Sequence, residues 1–380
     1  MTKLYFFRAL VAFVTSLVGI FVPVYLYHNN FSIILILLYA IGISSTYIIT
    51  APLVISIINK IGLKYTLLLS TPFYIIYLIS LQYITQNMLF FHILWLSQGI
   101  YMSLFWISFK AEVIMNSSRE NRTKQIGTLQ TIVVLLTAVA PIIGGVFLEY
   151  VSYWNLLIIG TFLLILSNVP LMISEDIKLL KIKFKHSDYI DLIRKKTNKQ
   201  SKISHVAEGV ELLLSTFIWP IIIFVFVKEN FAVLGLLYTI ISLITVVALF
   251  KVKKYIDKIS KKKVLEKASK MLSISWYLRA ILTIFGSVFL FLIETFANLI
   301  TNIVTITLTS IFYNNTNSQN FMRALLTRTI YMHGTKIILS IILIIILLMI
   351  EENFSNLTII LFIGMVSSIG LNSIVENEIY

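Results

Sequence analysis

The feature that most constrains this chain is the alternation of long apolar runs with short basic segments. A run of roughly 20 residues with few charges is long enough to cross the hydrocarbon core of a bilayer as a helix. All but four of the 31 Lys and Arg residues lie between such runs, in the segments 1–8, 59–64, 116–124, 173–205, 251–270 and 313–328. The pattern therefore predicts an all-α integral membrane protein.

The composition supports this prediction. Of the 380 residues, 58% are hydrophobic and 13% are charged, and the mean hydropathy is +0.91, which leaves too little polar surface to cover a soluble globule. The net charge of +14 would suggest a nucleic-acid partner if it covered one surface. Because the basic segments alternate around successive apolar runs, they instead follow the positive-inside rule. We expect no nucleic-acid partner, and we predict that both termini of this multi-pass plasma- or inner-membrane protein are cytoplasmic.

The apolar runs predict twelve transmembrane helices. We divide them into an N-terminal six-helix bundle at 1–173, a basic cytoplasmic linker at 174–204 and a C-terminal six-helix bundle at 205–380. The second helix is predicted to end near Ile58 and to be followed by a basic loop at 59–64. Later helices are predicted near 206–227, 268–286 and 288–312, with a turn around Gly286 and Ser287 between the last two.

An internal repeat supports two equivalent halves. Pro23 is followed by Asn30 and Tyr39, and at an offset between 197 and 200 residues the second half repeats the same landmarks, at Pro220, Asn230 and Tyr238. Six helices, a linker and six more helices in the same orientation form a parallel repeat. The halves of such a repeat are related by an axis along the membrane normal.

Together with two motifs, this architecture resembles the major facilitator superfamily over essentially the whole chain. The first motif is the family's loop between helices 2 and 3, where Asn59, Lys60 and Gly62 stand at the positions of its Asp, a basic residue and Gly. Asp257 and Lys258 keep the acidic-basic pair in the second half. The resemblance implies that these loops help to close the cytoplasmic side of the transporter.

The second motif lies in predicted helix 5. Pro141, Gly144 and Gly145 resemble the Gly-Pro-x-x-Gly-Gly of the family's exporters, with Ala140 in place of the first Gly. Pro opens the hydrogen-bond ladder of the helix, and the two Gly residues let a neighbouring helix approach closely. The alternative interpretation is tight helix packing with no further role.

Three predicted helices carry polar residues at helical spacing on one face, which suggests a shared aqueous cleft. The resemblance implies that helices 1, 4, 7 and 10 line the central cavity, which agrees with the location of these residues. They are Gln98, Tyr101 and Glu112 on helix 4, Glu208, Glu211, Ser215 and Trp219 on helix 7, and Glu294, Asn298 and Asn302 on helix 10.

Ionisable residues within the membrane are costly and point to function. We predict Glu211, with Glu208 beside it, as the proton carrier, and an ion pair between Arg279 and Glu294 at matching depth. The alternatives are that Glu112 and Glu208 simply reach water at cytoplasmic helix ends, and that Arg279 snorkels along a lipid-facing groove.

No other chemistry is indicated. The chain has no Cys, and its five His residues lack metal-ligand spacing, so we expect no metal, no cofactor and no enzymatic activity. His92 and His333 are expected to be helix residues with satisfied polar atoms rather than ligands. We predict a monomeric secondary transporter that moves a small solute by alternating access, with proton-coupled export favoured. An ion-coupled or uniport importer is the alternative within the family, and a non-transporting receptor or lipid-handling protein is the alternative outside it.

Overall fold

The computed structural model describes residues 2–116, 122–173, 189, 192, 199–256, 259–281, 286–316, 320–349 and 354–375. No β-strand occurs in these ranges. Asp257 and Lys258, the predicted second gating pair, and most of the predicted linker at 174–204 lie outside them.

Fourteen α-helices make up the described chain, with two π-helical turns at Phe147–Val151 and Leu214–Ile218 and a closing 3₁₀ turn at Leu371–Ser373. In chain order they are α1 Thr2–Gly19, α2 Val22–His28, α3 Ile33–Tyr83, α4 Leu89–Asn116, α5 Arg122–Thr137, α6 Ala140–Val146, α7 Tyr153–Met172, α8 Lys199–Leu213, α9 Trp219–Phe226, α10 Phe231–Ile256, α11 Lys261–Ala280, α12 Gly286–Asn314, α13 Phe321–Met349 and α14 Phe354–Gly370.

Ten helical stretches in the described ranges are long and apolar enough to cross a membrane. One of them, α3, has 51 residues, far more than the roughly 20 needed for one crossing. By contrast, α11 is not among the ten, because its first turns carry Lys261, Lys262 and Lys263 followed by further charges.

The predicted loop at 59–64 is wrong in detail. Helical structure continues on both sides of a single interruption at Gly62, whose φ of 87° lies in the left-handed region that glycine adopts at little steric cost. One residue therefore makes the turn for which the sequence pattern suggested six. Basic residues mark the membrane boundary, but they do not require the helix to end there.

Two other boundaries differ from their predictions. The helix predicted near 206–227 begins at Lys199, because polar helix-forming residues carry it beyond its apolar segment. The turn predicted at Gly286 and Ser287 is wrong, since both residues belong to α12. The preceding helix correspondingly ends at Ala280 rather than near residue 286.

Proline marks three interruptions of the apolar stretches. Pro23, Pro141 and Pro220 each occupy the first turn of the helix that resumes after the break, where a missing N–H group costs little. Pro23 and Pro220 are also equivalent positions of the internal repeat. The repeat thus includes a matched break in the first helix of each half.

Most of the helix packing lies within each half of the chain. In the first half α3 packs on α4, and α1 packs on α5 and α7; in the second half α11 packs on α12 and α14, and α8 packs on α13 and α14. Across the halves, α3 contacts α13 and α6 contacts α10. Residues on these helices are therefore placed to form sites that both halves share.

Candidate functional site

A buried ion pair lies where α9, α11 and α12 meet. The Nη2 and Nε atoms of Arg279 donate to Oε2 of Glu294 over 2.8 and 3.1 Å, and the Trp219 indole N–H donates to the same oxygen over 2.7 Å. Arg279 and Glu294 are only 3% and 2% exposed. Arg279 therefore lies within the helix packing rather than in a lipid-facing groove.

Two indole rings enclose the guanidinium of Arg279. Its Cζ atom lies 4.7 Å from the ring centre of Trp219 and 4.5 Å from that of Trp276, distances at which a cation is attracted to an aromatic face. Trp276 in turn donates its N–H to Oε2 of Glu211 over 2.6 Å. We call Glu211, Trp219, Trp276, Arg279 and Glu294 the tryptophan-walled cluster.

The tryptophan-walled cluster contains two carboxyl groups and one guanidinium. Within the described part of the chain, Oε1 of Glu211 and Nη1 of Arg279 are buried without a hydrogen-bond partner. Arg retains its charge, so the surplus carboxyl can be neutralised by a proton or a bound cation. The arrangement therefore brings the predicted proton carrier Glu211 and the predicted ion pair into one network.

A second group of charges lies between the two halves. Arg328 of α13 donates through Nε to Oε2 of Glu208 on α8 over 2.8 Å, and a second bond joins its Nη2 atom to Oε1. Lys110 of α4 interacts electrostatically with both residues, and Lys336 of α13 interacts with Glu208. We call Lys110, Glu208, Arg328 and Lys336 the basic cluster.

Two histidines adjoin the basic cluster. His205 interacts electrostatically with Arg328, and His333 interacts with Lys336 and Lys110. The prediction that the polar atoms of His333 are satisfied is wrong: its ring stacks on Tyr47 at 4.3 Å, and neither ring nitrogen has a hydrogen-bond partner in the described ranges. Neither ring nitrogen of His205 has a hydrogen-bond partner in those ranges either.

Other predicted cavity residues lie elsewhere. Tyr101 is buried against Tyr74, with ring centroids 4.6 Å apart, and Gln98 is half-buried one turn earlier on α4. Asn302 donates to Oδ1 of Asn298 over 3.1 Å. These residues join neither of the two clusters.

Two further predicted residues flank the clusters on the same helices. Ser215 is half-buried in the π-helical turn between Glu211 and Trp219. Glu112 is buried on α4, two residues beyond Lys110.

The predicted gating and packing residues divide into two kinds. Asn59 is half-buried and Lys60 is exposed beside the Gly62 interruption. Gly144 and Gly145 are close-contact positions: a Cβ atom would collide with the carbonyl oxygen of Leu17 at Gly144 and with that of Phe231 at Gly145.

The backbone break before α6 is satisfied from the other half of the chain. The amide of Ile142, one residue after Pro141, donates to the Thr239 hydroxyl of α10 over 3.0 Å. At the end of the same stretch, Glu149 accepts from the amide of Phe231 over 2.9 Å and caps the start of α10. The helix 5 motif therefore forms a contact between the two halves.

The sequence pattern does not single out four residues of these two clusters. They are Lys110, Trp276, Arg328 and Lys336. Lys110 and Lys336 could have been identified from the sequence, since a cation inside an apolar span is rare and points to a functional site. Arg328 lay in a segment assigned to a basic loop, and nothing in the pattern around Trp276 distinguished it from a membrane-interface residue.

No protein-family model matches the chain, and no curated protein is significantly similar to it. Solved structures do match it over nearly its whole length. The nucleoside transporter NupG matches with a TM-score of 0.68 and 13% identity, over 98% of this chain and 96% of that chain. A bacterial metal transporter matches with a TM-score of 0.65 and 8% identity, over 98% and 96%.

The match to FucP links the fold to a named family. FucP, the fucose:proton symporter of E. coli, is a major facilitator superfamily transporter; its outward conformation matches with a TM-score of 0.70 and 12% identity, over 98% of this chain and 97% of that chain. Matches at such low identity establish the fold. Together with the ten apolar helices, they identify the chain as a multi-pass membrane protein with the fold of the major facilitator superfamily.

Proposed function

We propose that this protein is a proton-coupled secondary transporter that moves a small solute by alternating access between two six-helix halves. The observation that carries the proposal is the tryptophan-walled cluster: two carboxyl groups and one guanidinium buried among apolar helices in a transporter fold. Intramembrane charges of this kind are costly to bury and mark ion or substrate pathways.

The proposal includes twelve spans. The 51-residue α3 is long enough for two crossings and is interrupted at Gly62, so we count it as two. We count α11 as a further span because it packs against α12 and α14 and has no charged residue between Lys270 and Arg279. The halves 1–173 and 205–380 then each hold six spans, with a cytoplasmic linker at 174–204 and both termini inside.

Glu211 is the proposed proton carrier. One of its oxygens is held by Trp276, while Oε1 has no partner among the described residues and is free to take a proton. Protonation would leave Arg279 and Glu294 as a neutral pair, and deprotonation would add a surplus negative charge to a dry site. The two states therefore differ in electrostatic free energy, which is what coupling requires.

Export is the proposed direction, because Pro141, Gly144 and Gly145 resemble the exporters' motif. Proton-coupled import is the second candidate, favoured by the likeness of the fold to a fucose:proton symporter. The two candidates differ in the sign of the pH gradient that drives net movement of solute.

The test is flux in proteoliposomes that carry a pH-sensitive dye and an imposed pH gradient, with uridine, fucose and succinate offered separately. Solute-dependent proton movement that is abolished in Glu211→Gln is the expected result. Solute flux with no proton movement would overturn the coupling, and the absence of solute flux together with the absence of exchange would overturn transport.

A further inference from the structure

We infer that the basic cluster is a binding site for a small organic anion that carries a carboxylate or phosphate group. The inference rests on the proposed function only in treating this anion as the transported solute. Binding itself can be tested without transport.

The first observation is an imbalance of buried charge. Lys110, Arg328 and Lys336 interact electrostatically with one another or with Glu208, and Glu208 already accepts two bonds from Arg328. If Glu112 on the same helix as Lys110 is included, the described residues of this group comprise three cations and two carboxylates. A surplus cation buried in protein is costly unless an anion accompanies it.

The second observation is that the two lysines have no carboxylate partner at ion-pair distance in the described part of the chain. Lys336 is 7% exposed and Lys110 is partly buried, yet neither is within ion-pair distance of a carboxylate in the part of the chain that the structure describes. Lys110 is instead held near the Trp106 ring, at 5.6 Å from its centre. Both ammonium groups therefore have donor capacity left for a ligand.

The third observation is a set of neutral polar groups around the same charges. The ring nitrogens of His205 and His333 are buried without partners in the described ranges, and both rings interact electrostatically with the basic cluster. Buried polar atoms in native proteins normally have partners, so these ring nitrogens are candidates to bind a ligand or its bound water. A neutral imidazole can donate one hydrogen bond to an oxyanion.

The location suits a transported solute. Lys110 lies in the first half of the chain, and Glu208, Arg328 and Lys336 lie in the second, while α3 contacts α13 nearby and stacks Tyr47 on His333. An anion held by Lys110 and Lys336 would thus connect the halves. The positive charges of Lys110, Arg328 and Lys336 attract an organic anion and repel a metal cation.

The experiment measures ligand-induced stabilisation of the purified full chain in detergent. The probes are inorganic phosphate, succinate and glucose 6-phosphate, with uridine and fucose as neutral probes and sodium chloride at matched ionic strength as the reference. We expect at least one of the three anionic probes to raise the Tm in a saturable way, and the neutral probes to leave it unchanged.

Variants assign the binding to the cluster. Lys336→Met and Lys110→Met should each weaken the apparent Kd by at least tenfold, whereas the matched variant Lys267→Met, at an exposed position, should not change it. Because Lys336→Met removes a buried surplus charge, the Tm without ligand should stay level or rise, so loss of binding cannot be attributed to misfolding. Lys336→Arg should retain part of the affinity.

Each possible result of these measurements either supports or overturns the anion site. No shift with any anion, equal shifts with neutral probes, or an equal Kd in Lys336→Met and Lys267→Met would overturn the anion site. Flux of uridine or fucose without anion binding would overturn the site and leave transport intact. Saturable anion binding without flux would support the site and overturn transport.

Discussion

The two buried charge groups of this protein differ in where they lie and in how they are neutralised. The tryptophan-walled cluster is built from helices of the second half alone, and its arginine has a carboxylate at 2.8 Å and two aromatic rings within 4.7 Å. The basic cluster combines residues from both halves and leaves two lysines without a carboxylate at ion-pair distance in the described ranges. The first is closed by the protein itself, and the second is arranged to be completed by a ligand.

The largest effect is expected from breaking the closed pair. Arg279→Met and Glu294→Gln should each cost roughly 3–5 kcal/mol, because each leaves a buried group without its partner, while the double variant should recover most of the loss. A double-mutant cycle on unfolding in detergent measures this coupling. The exposed pair Lys270 and Glu266 is the matched control and should show no measurable coupling. Additive losses for Arg279 and Glu294 would contradict the pairing.

The next effect concerns packing between the halves rather than charge. A Cβ atom at Gly145 would meet the Phe231 carbonyl, so Gly145→Ala should cost about 1–3 kcal/mol through overpacking. Gly334→Ala is the control, since nothing lies within 4 Å of its added Cβ atom. Gly145→Ala should also weaken ligand binding in the basic cluster while leaving the coupling of Arg279 with Glu294 unchanged. Thermal unfolding of Gly145→Ala measures the cost in stability, and its stabilisation by added anion measures ligand binding. The double-mutant cycle of Arg279 and Glu294, repeated in the Gly145→Ala background, measures their coupling.

A smaller effect is expected at the basic cluster in the absence of ligand. Glu208→Gln removes the carboxylate that accepts from Arg328 and should cost about 2 kcal/mol. Unlike the loss in Arg279→Met, it should be offset by an added anion, because an anion can take the place of the missing charge. Thermal unfolding with and without succinate measures the difference. Failure of the anion to stabilise Glu208→Gln more than the parent would show that the two clusters do not differ in this respect.

The smallest effect on stability is expected at Glu211. Gln keeps an oxygen that accepts from Trp276, so Glu211→Gln should change the free energy of unfolding by less than about 1 kcal/mol. Its effect should appear in function instead: proton-driven flux should fall at least tenfold while solute exchange persists. Glu266→Gln, at an exposed position, serves as the control. Unchanged proton dependence in Glu211→Gln would remove this residue from the coupling mechanism.

The orientation in the membrane can be tested with the same Cys-free chain. The positive-inside pattern predicts that a thiol at Lys263 is shielded from an impermeant reagent added outside intact cells and that a thiol at Asn87 is labelled. Both positions are exposed, so accessibility differs only through the side on which each lies. Labelling of Lys263→Cys from outside would reverse the topology.

The sequence supports the fold more firmly than it supports the site. Long apolar runs and basic segments predict the spans because membrane thickness and charge act on composition over many residues. The pairing of Arg279 with Glu294 could be anticipated because both are charges at similar depth. The aromatic walls around Arg279 and the convergence of Lys110 with Lys336 could not, since they depend on how each helix is rotated against its neighbours. The sequence pattern shows the same limit at Gly62, where one residue with a positive φ makes the turn in place of the predicted loop at 59–64.

The glycine contact between α6 and α10 has a mechanical consequence. Gly145 faces the carbonyl of Phe231, and a Cβ atom at Gly235 would collide with that of Pro141, so the two helices touch through main-chain atoms. At these glycines no side chain separates the two backbones, so a small rotation of one helix against the other displaces few side chains. This contact can therefore act as a pivot, which holds α6 and α10 together but lets them rotate against each other. We expect the axis of any rocking between the halves to pass through this contact, so that residues farther from it move through a larger arc.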